Sequence, residues 1–186
     1  QRGSAIEVTF EARVPKLHRQ AELRTMRKVS AGGNITYEIL SASGDGAVRR
    51  EVIARYLAAD SEPRNTEETA IVPSHYRFRF LRSTVQRGRR IHIFQVNPKA
   101  KRVGLFKGEL WVDAQSGLPV HESGQFVKNP SILIKRVQFT RDYQAHEGLN
   151  LPVYTHSTIQ SRIAGRVELE TYFSSSLPSV IADSIP

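Results

Sequence analysis

Hydrophobic and polar residues alternate along most of this chain, with the period of two that is typical of half-buried β-strands. The clearest example runs from Ala5 to Val14, where Ile6, Val8 and Phe10 share one parity and mostly polar residues lie between them. Pro15 is predicted to end the strand, because proline cannot donate a hydrogen bond to a sheet. The pattern therefore predicts that the chain begins with one half-buried strand.

The segment from Arg89 to Gln125 predicts three consecutive antiparallel strands, written RIHIFQV, FKGELWVD and LPVHESGQF. A tight turn over residues 114–117, AQSG, joins the last two, because Ser and Gly supply the backbone conformations that a hairpin needs. The alternation places Ile91 and Ile93 on one face of their strand. It also places Leu110 and Val112 on one face of the next strand.

One segment changes the period from two to that of an α-helix. Between Ala47 and Ala59 the apolar side chains recur at helical spacing, and Asp45 stands where a helix cap is expected. The segment therefore predicts one amphipathic helix of about three turns. Its apolar stripe consists of Val48, Val52, Ile53, Tyr56 and Leu57.

Another strand is predicted over His75–Arg82, and a longer one over Pro130–Tyr143. In the longer segment the apolar parity shifts, which predicts a β-bulge near Lys135 and Arg136. Counting the remaining alternating segments gives nine to eleven strands, joined by connections short enough for antiparallel neighbours.

The fold class predicted from these elements is mainly β. A long antiparallel sheet has to curl to bury one face, and an amphipathic helix can fill its concave side. We therefore expect a single, strongly curved antiparallel sheet that forms an unclosed, half-open barrel with the helix on its concave side. Residues 5–173 are predicted to form one domain, and residues 174–186 an extended C-terminal tail.

Composition narrows the range of functions. The 186 residues contain no cysteine, which excludes disulfides, thiolate nucleophiles and cysteine-ligated metal sites. No run approaches the length of a membrane-spanning helix. The net charge of +9 favours anionic partners, although most of these charges are expected to lie on a solvated surface.

Catalytic chemistry has little support in the sequence. The six histidines do not form a metal-binding motif, and neither a nucleophile elbow nor a phosphate loop is present. Glu109, Asp113 and Glu122 lie near one another across the predicted hairpin, and they are interpreted as cross-strand partners of Lys107 and other surface cations. The sequence therefore predicts a protein that is not an enzyme and that uses no metal or cofactor.

Basic residues concentrate around the strand that begins near Tyr76, where arginine alternates with aromatic residues. The aromatic side chains are expected to point into the core and therefore cannot stack on bases, which argues against nucleic acid as a partner. The arginines are expected to point outward, towards an anionic membrane surface or a protein partner. The predicted anionic contact residues are Arg77, Arg79, Arg87, Arg89 and Arg90.

Four stretches resemble bacterial outer-membrane lipoprotein-sorting proteins of the LolA/LolB-like superfamily. They are YRFRF at residues 76–80, FQVNPK at 94–99, LFKGELWVD at 105–113 and GLPV at 117–120. The resemblance covers roughly residues 5–173, and its sharpest part is the Gly-x-Leu-Trp-Val-Asp strand with the turn after it. It implies an unclosed antiparallel barrel around helices, with an apolar cavity for acyl chains.

The resemblance favours a periplasmic or secreted, monomeric protein that carries a lipid or an acylated lipoprotein without catalysis. An alternative is a periplasmic sensor or protein-interaction module on the same fold, which acts through its basic face. An ordinary filled core explains the same apolar residues, and the sequence does not separate these possibilities. The predicted cavity residues are Val8, Phe10, Val52, Tyr56, Leu57, Phe78, Phe80, Ile91, Ile93, Leu110 and Val112.

Overall fold

The computed structural model describes residues 4–62, 66–129, 131–146, 149–174 and 179–180. The predicted fold class is confirmed: the chain is mainly β, its sheet is antiparallel and does not close, and one substantial helical segment is present. The strands are β1 (Ser4–Val14), β2 (Arg19–Val29), β3 (Ile35–Gly44), β4 (Tyr76–Gln86), β5 (Arg89–Pro98), β6 (Phe106–Asp113), β7 (Pro119–Phe126), β8 (Ile134–His146), β9 (Leu149–Ser161), β10 (Gly165–Phe173) and β11 (Ser179–Val180).

The helical residues lie mostly between β3 and β4. α1 (Gly46–Val48), a π-helical stretch (Arg49–Ala54) and α2 (Arg55–Ser61) form a continuous helical segment, which we call the covering helix. A short helix, α3 (Thr66–Thr69), follows, and a 3₁₀ turn (Pro15–Leu17) separates β1 from β2. The predicted helix is therefore present, and it extends one residue earlier and two residues later than its predicted limits.

The chain divides into two compact units, which are described separately. The first comprises Gln1–Arg64 and Val167–Pro186, and the second comprises Asn65–Arg166. The single domain expected over residues 5–173 stays a prediction. Of the predicted tail, Ser179–Val180 pairs with β1, whereas residues 175–178 and 181–186 lie outside the described part of the chain.

In the first unit the strands are ordered β3-β2-β1-β10, and all of these pairs are antiparallel. Val8 and Phe10 are buried on the face of β1 that the covering helix contacts, with Thr25 and Leu23 directly opposite them on β2. The Phe10 ring lies 5.5 Å from the ring of Tyr56. The alternation that predicted β1 thus produces a core that is closed by the helix.

Asp45 begins the covering helix, as the sequence predicted. Its Oδ1 accepts hydrogen bonds from the backbone N–H groups of Ala47 (2.8 Å) and Val48 (2.9 Å). The bond from Val48 is the main cause of the lowered pKa of Asp45. At the other end of the helix, Asp60 Oδ2 accepts from Tyr37 Oη (2.7 Å) and Arg27 Nε (3.2 Å). Both ends of the segment are therefore fixed by side-chain hydrogen bonds.

In the second unit the strands are ordered β9-β8-β7-β6-β5-β4. One face of this sheet carries a buried apolar cluster, against which Ile71, Val112, Phe126 and Val127 also pack. The register of β8 and β9 shifts between Ile134 and Arg136, which confirms the bulge that was predicted near Lys135. The strand itself begins at Ile134, four residues later than expected. The buried cluster comprises Tyr76, Val96, Leu105, Phe106, Leu110 and Phe139.

Two hairpin turns set the register of β4 to β7. In the predicted turn at residues 114–117, Asp113 Oδ1 accepts from the backbone N–H groups of Ser116 (2.8 Å) and Gln115 (3.0 Å), and Gly117 has a φ of 72°. The turn between β4 and β5 has only two residues, Arg87 and Gly88, with φ values of 48° and 76°. Both central residues of that turn are left-handed, which is the type I′ geometry.

Candidate functional site

An aromatic row lies along one face of β4 and β5, and we define it as Tyr76, Phe78, Phe80 and Phe94. Phe80 stands directly opposite Phe94 in the ladder, and Phe78 opposite Val96. Ring centroids lie 5.8 Å apart for Phe80 and Phe94, and 6.3 Å apart for Tyr76 and Phe78. These are distances at which aromatic pairs attract one another. The row therefore consists of two aromatic pairs on one face of the sheet.

Exposure increases from residue to residue along the aromatic row in β4. Tyr76 is 2% exposed, Phe78 is 38% exposed and Phe80 is 56% exposed. Tyr76 belongs to the buried cluster, and its hydroxyl accepts a hydrogen bond from the backbone N–H of Phe106 (3.2 Å). Burial raises the pKa of the Tyr76 hydroxyl, so this end of the row stays neutral at physiological pH. The aromatic row thus leads from the core to the solvent, and the expectation that these aromatic side chains point into the core was wrong for Phe78 and Phe80.

The predicted cavity residues of the first unit are those that build its closed core. Val8 and Phe10 are buried, while the three helix residues Val52, Tyr56 and Leu57 are half-buried. Tyr56 packs on Phe10, so these side chains fill the space beneath the covering helix rather than bordering an open channel at that contact.

The predicted cavity residues of the second unit fall on two faces of its sheet. The register places Leu110 opposite Phe94 and Val112 opposite His92, on the face of the aromatic row. Ile91 and Ile93 stand opposite Asp113 and Trp111, on the other face, which Arg79 shares. The structure therefore brings Phe78, Phe80, Leu110 and Val112 to one face without Ile91 and Ile93. Their role as ligand contacts stays a prediction.

An open groove with a volume of about 420 Å³ lies along β6 to β9. Its lining side chains carry hydroxyl, amide, ammonium and imidazole groups, although carbon atoms form the larger part of its wall. It lies away from the aromatic row. Its lining residues are Lys107, Ser123, Gly124, Gln125, Gln138, Phe139, Thr140, His156 and Thr158.

Sequence reasoning missed a buried charge cluster on the face of the aromatic row. Glu122 is 2% exposed, and its Oε1 accepts from Arg141 Nη1 (2.9 Å) and Tyr143 Oη (2.6 Å). Arg141 also lies over the Phe139 ring, 5.6 Å from its centroid. Burial, and to a smaller extent Glu122, raises the pKa of Tyr143 to about 12, whereas Arg141 acts in the opposite direction.

The three carboxylates were interpreted as cross-strand partners of Lys107 and other surface cations. Asp113 lies 3.9 Å from the exposed Arg89 of β5, as expected, whereas within the described residues none of the three forms an ion pair with Lys107. Glu122 is buried with Arg141, and Asp113, also buried, caps the turn that follows it. Glu109 accepts a hydrogen bond from Trp111 Nε1 (3.0 Å). The available signal was parity, because Glu122 has the same parity as the half-buried Phe126 along β7 and therefore lies on the apolar face.

A histidine–aspartate pair lies on the opposite face of the same strands. His121 Nδ1 is 2.6 Å from Asp142 Oδ1, and the His121 ring lies 5.2 Å from that of Trp111. Such a pair can orient an imidazole for proton transfer. The aromatic ring that packs on this imidazole is the indole of Trp111.

The predicted anionic contact residues are all exposed. Arg77 and Arg79 point to the face opposite the aromatic row, and Arg79 Nη2 donates to Gln95 Oε1 (2.5 Å). Arg89 lies 3.9 Å from Asp113, and Arg87 occupies the left-handed turn position. The sequence therefore placed these arginines correctly at the surface.

Within the described residues, no three or more His, Cys, Asp or Glu side chains are grouped so that they could hold a metal ion. Among the helices of the described part of the chain, none combines the length and the apolar character that crossing a membrane requires.

No family model matches this chain, and neither does any curated protein. Among solved structures, a LolA superfamily protein from Nitrosomonas europaea is 11% identical at a TM-score of 0.49, over 98% of this chain and 89% of its own. A putative outer membrane lipoprotein-sorting protein domain from Vibrio parahaemolyticus is 11% identical at 0.47, over 98% and 88%. A DUF1329 family protein from Desulfovibrio piger is 11% identical at 0.49, over 98% and 88%.

These matches confirm the resemblance predicted from the sequence, as a similarity to such structures. Identity of 11% does not assign an activity to this chain. The function therefore has to be inferred from the chain's own residues.

Proposed function

We propose that this protein binds a lipid acyl chain, free or attached to a lipoprotein, without catalysing a reaction. The observation that carries the proposal is the exposed end of the aromatic row, where Phe80 and Phe78 stand in solvent beside a well-formed apolar cluster. A contiguous exposed apolar surface of this kind is typical of a binding site. The periplasm as its location and the monomeric state belong to the same proposal, and the resemblance to lipoprotein-sorting proteins favours both.

The driving force would be partition of the acyl chain out of water. Each buried methylene contributes roughly 0.8 kcal/mol, so a chain that covers Phe78 and Phe80 gains affinity in proportion to its contact length. The ring faces of Phe80 and Phe94 present hydrocarbon to the ligand. The buried end of the row, at Tyr76, forms a rigid base for the contact because its hydroxyl bonds to the backbone of Phe106.

A fluorescent fatty acid tests this proposal. Replacing Phe80 by serine should lower its affinity by about tenfold, which corresponds to roughly 1.4 kcal/mol of lost apolar contact. Ile132→Ser is the matched control, because Ile132 is 84% exposed and lies outside the aromatic row. Phe78→Ser should act in the same direction as Phe80→Ser.

Equal binding of the Phe80→Ser and Ile132→Ser proteins would contradict the proposal, since any exposed apolar residue would then serve as well. Circular dichroism of each variant checks that a loss of binding is not a loss of fold. The alternative, a protein-interaction module, is favoured by a different observation, the arginine-rich edge of β4.

A further inference from the structure

The strand β4 ends the strand order of the second unit and, among the described strands, pairs only with β5. Eight of its eleven residues are exposed, so the edge is open along most of its length. In an antiparallel ladder, alternate N–H and C=O groups of an edge strand point away from its partner. β4 therefore offers hydrogen-bonding groups to a further strand.

The charge along this edge is of one sign. Residues 77–90 contain six arginines and no aspartate or glutamate. In the described part of the chain, the one ion pair made by these arginines joins Arg89 to Asp113, at 3.9 Å. A second copy of β4 would bring a second set of arginines to the same edge, so the edge disfavours pairing with itself. It favours a partner strand that carries carboxylates.

The two faces of the edge differ in chemistry. Arg77 and Arg79 point to one face, and Phe78 and Phe80 point to the other. A flat membrane surface can contact only one of these faces, whereas a strand laid beside β4 presents side chains to both, alternately. The alternation thus distinguishes an extended peptide from a lipid surface.

The turn at Arg87 adds a separate indication. Its φ of 48° is a conformation in which asparagine or glycine is preferred and arginine is disfavoured. An arginine kept there adds a positive charge to the end of the edge at the expense of turn stability. The presence of arginine at residue 87 is thus better explained by its charge than by the conformation of the turn.

We propose that β4 binds an extended acidic peptide segment by β-strand addition, with carboxylates facing Arg77 and Arg79 and apolar side chains facing Phe78 and Phe80. Backbone hydrogen bonds would provide affinity, and the alternation of acidic and apolar residues would provide specificity. The opposite edge strand, β3, carries no arginine or lysine and one glutamate, Glu38, which is paired with Lys28. It is therefore not expected to bind the same peptide.

The test uses the full chain and a fluorophore-labelled, end-blocked peptide of about nine residues, a typical strand length, in which Glu and Val alternate. Fluorescence anisotropy should show saturable binding of this peptide and no binding of the same peptide with Lys in place of Glu. Two further peptides carry N-methyl groups on every Val or on every Glu. Strand addition predicts that one of them loses binding and the other keeps it, because only alternate N–H groups face β4.

Two variants test the protein side. Arg77→Gln with Arg79→Gln should weaken binding of the Glu-Val peptide at least tenfold. Arg87→Asn should also weaken it while raising the midpoint of thermal unfolding, since asparagine suits the turn. Arg162→Gln is the matched control, because Arg162 is exposed and lies outside β4 and β5, and it should leave the affinity unchanged.

Three results would overturn the proposal. Equal affinity of the two N-methylated peptides would mean that charge alone holds the peptide. Binding to phosphatidylglycerol vesicles that requires Arg77 and Arg79, without binding of the peptide, would identify a membrane as the occupant. A dimer in light scattering that the peptide does not dissociate would identify a second copy. Equal fatty-acid binding by Phe80→Ser and Ile132→Ser, with peptide binding intact in the native protein, would contradict the acyl-chain proposal and leave this inference standing.

Discussion

Each unit contains a triad of arginine, carboxylate and tyrosine, but the two triads connect different elements. In the first unit Asp60 of the covering helix binds Arg27 of β2 and Tyr37 of β3. In the second unit Glu122 of β7 binds Arg141 and Tyr143 of β8. The first triad therefore fastens a helix onto a sheet, while the second joins two neighbouring strands of a sheet.

The apolar residues of the two units differ in how far they are exposed. Phe10, beneath the covering helix, is 1% exposed, whereas Phe80, in the aromatic row, is 56% exposed. Both residues arise from the same alternation of apolar and polar positions in sequence. The alternation therefore predicts which face is apolar, and the element that packs over that face decides whether its residues are buried or exposed.

The largest contrast is expected from removing one ring in each unit. Phe10→Ala should lower the free energy of unfolding by about 3–5 kcal/mol, because it leaves a cavity beneath the covering helix. Phe80→Ala should cost less than about 1 kcal/mol, since its ring is already largely hydrated. Urea denaturation of both variants measures the difference. Similar losses in the two proteins would contradict the distinction between a core residue and a surface residue.

A second contrast comes from removing the two carboxylates. Asp60→Ala should cost about 1–3 kcal/mol, because it leaves the partly buried Arg27 and Tyr37 without their acceptor. Hydrogen exchange should accelerate within α2, whose end the carboxylate fastens. Glu122→Ala should cost a similar amount without accelerating exchange in any helix.

Asp60→Asn is the matched control for that experiment, because it keeps the shape of the side chain and removes its charge. It should lie between the native protein and Asp60→Ala in stability. Unchanged exchange of α2 in Asp60→Ala would show that helix packing, through Tyr56 and Ile53, holds the segment without the triad.

Local patterns were sufficient to predict much of the fold. The cap at Asp45, the turn at residues 114–117 and the bulge at Lys135 each depend on residues close in sequence, and each was predicted. The site was harder to predict, because it depends on the register between strands. A bulge at Leu81 in β4 places Arg82 opposite Ile93, and so separates Ile91 and Ile93 from the face of Phe78 and Phe80. Nothing in the order of those residues alone fixes that separation.

The sequence also did not predict how far each apolar face is covered by other elements. Phe10 and Phe80 both occupy apolar positions in alternating segments, yet one lies under the covering helix and the other lies in solvent. Exposure depends on which element packs on each face, and that follows from contacts between distant parts of the chain. The buried pair of Glu122 and Arg141 was missed because Glu122 was assigned to surface cations, although its parity in β7 places it on the apolar face.

The smallest effect is expected from the tyrosine of the second triad. The Tyr143 hydroxyl donates to Glu122, so Tyr143→Phe should cost about 1 kcal/mol near neutral pH, the usual value of one hydrogen bond. Burial raises the pKa of Tyr143 to about 12 in the folded protein, against about 10 in an unfolded chain. The folded state therefore holds this proton more tightly, and the stability that it contributes is complete below about pH 10 and is lost as the pH rises towards about 12.

This pH dependence of the stability can be measured directly. Urea denaturation of the native protein and of Tyr143→Phe, at about pH 8, 10 and 11, should show a stability difference that is constant below about pH 10 and narrows above it. Other titrating groups, Tyr37 among them, are common to both proteins and cancel in the difference. A difference that stays constant through about pH 11 would mean that Tyr143 ionises in the folded state as readily as in the unfolded chain. The second triad would then be accessible to water. That result would contradict its burial on the face of the aromatic row.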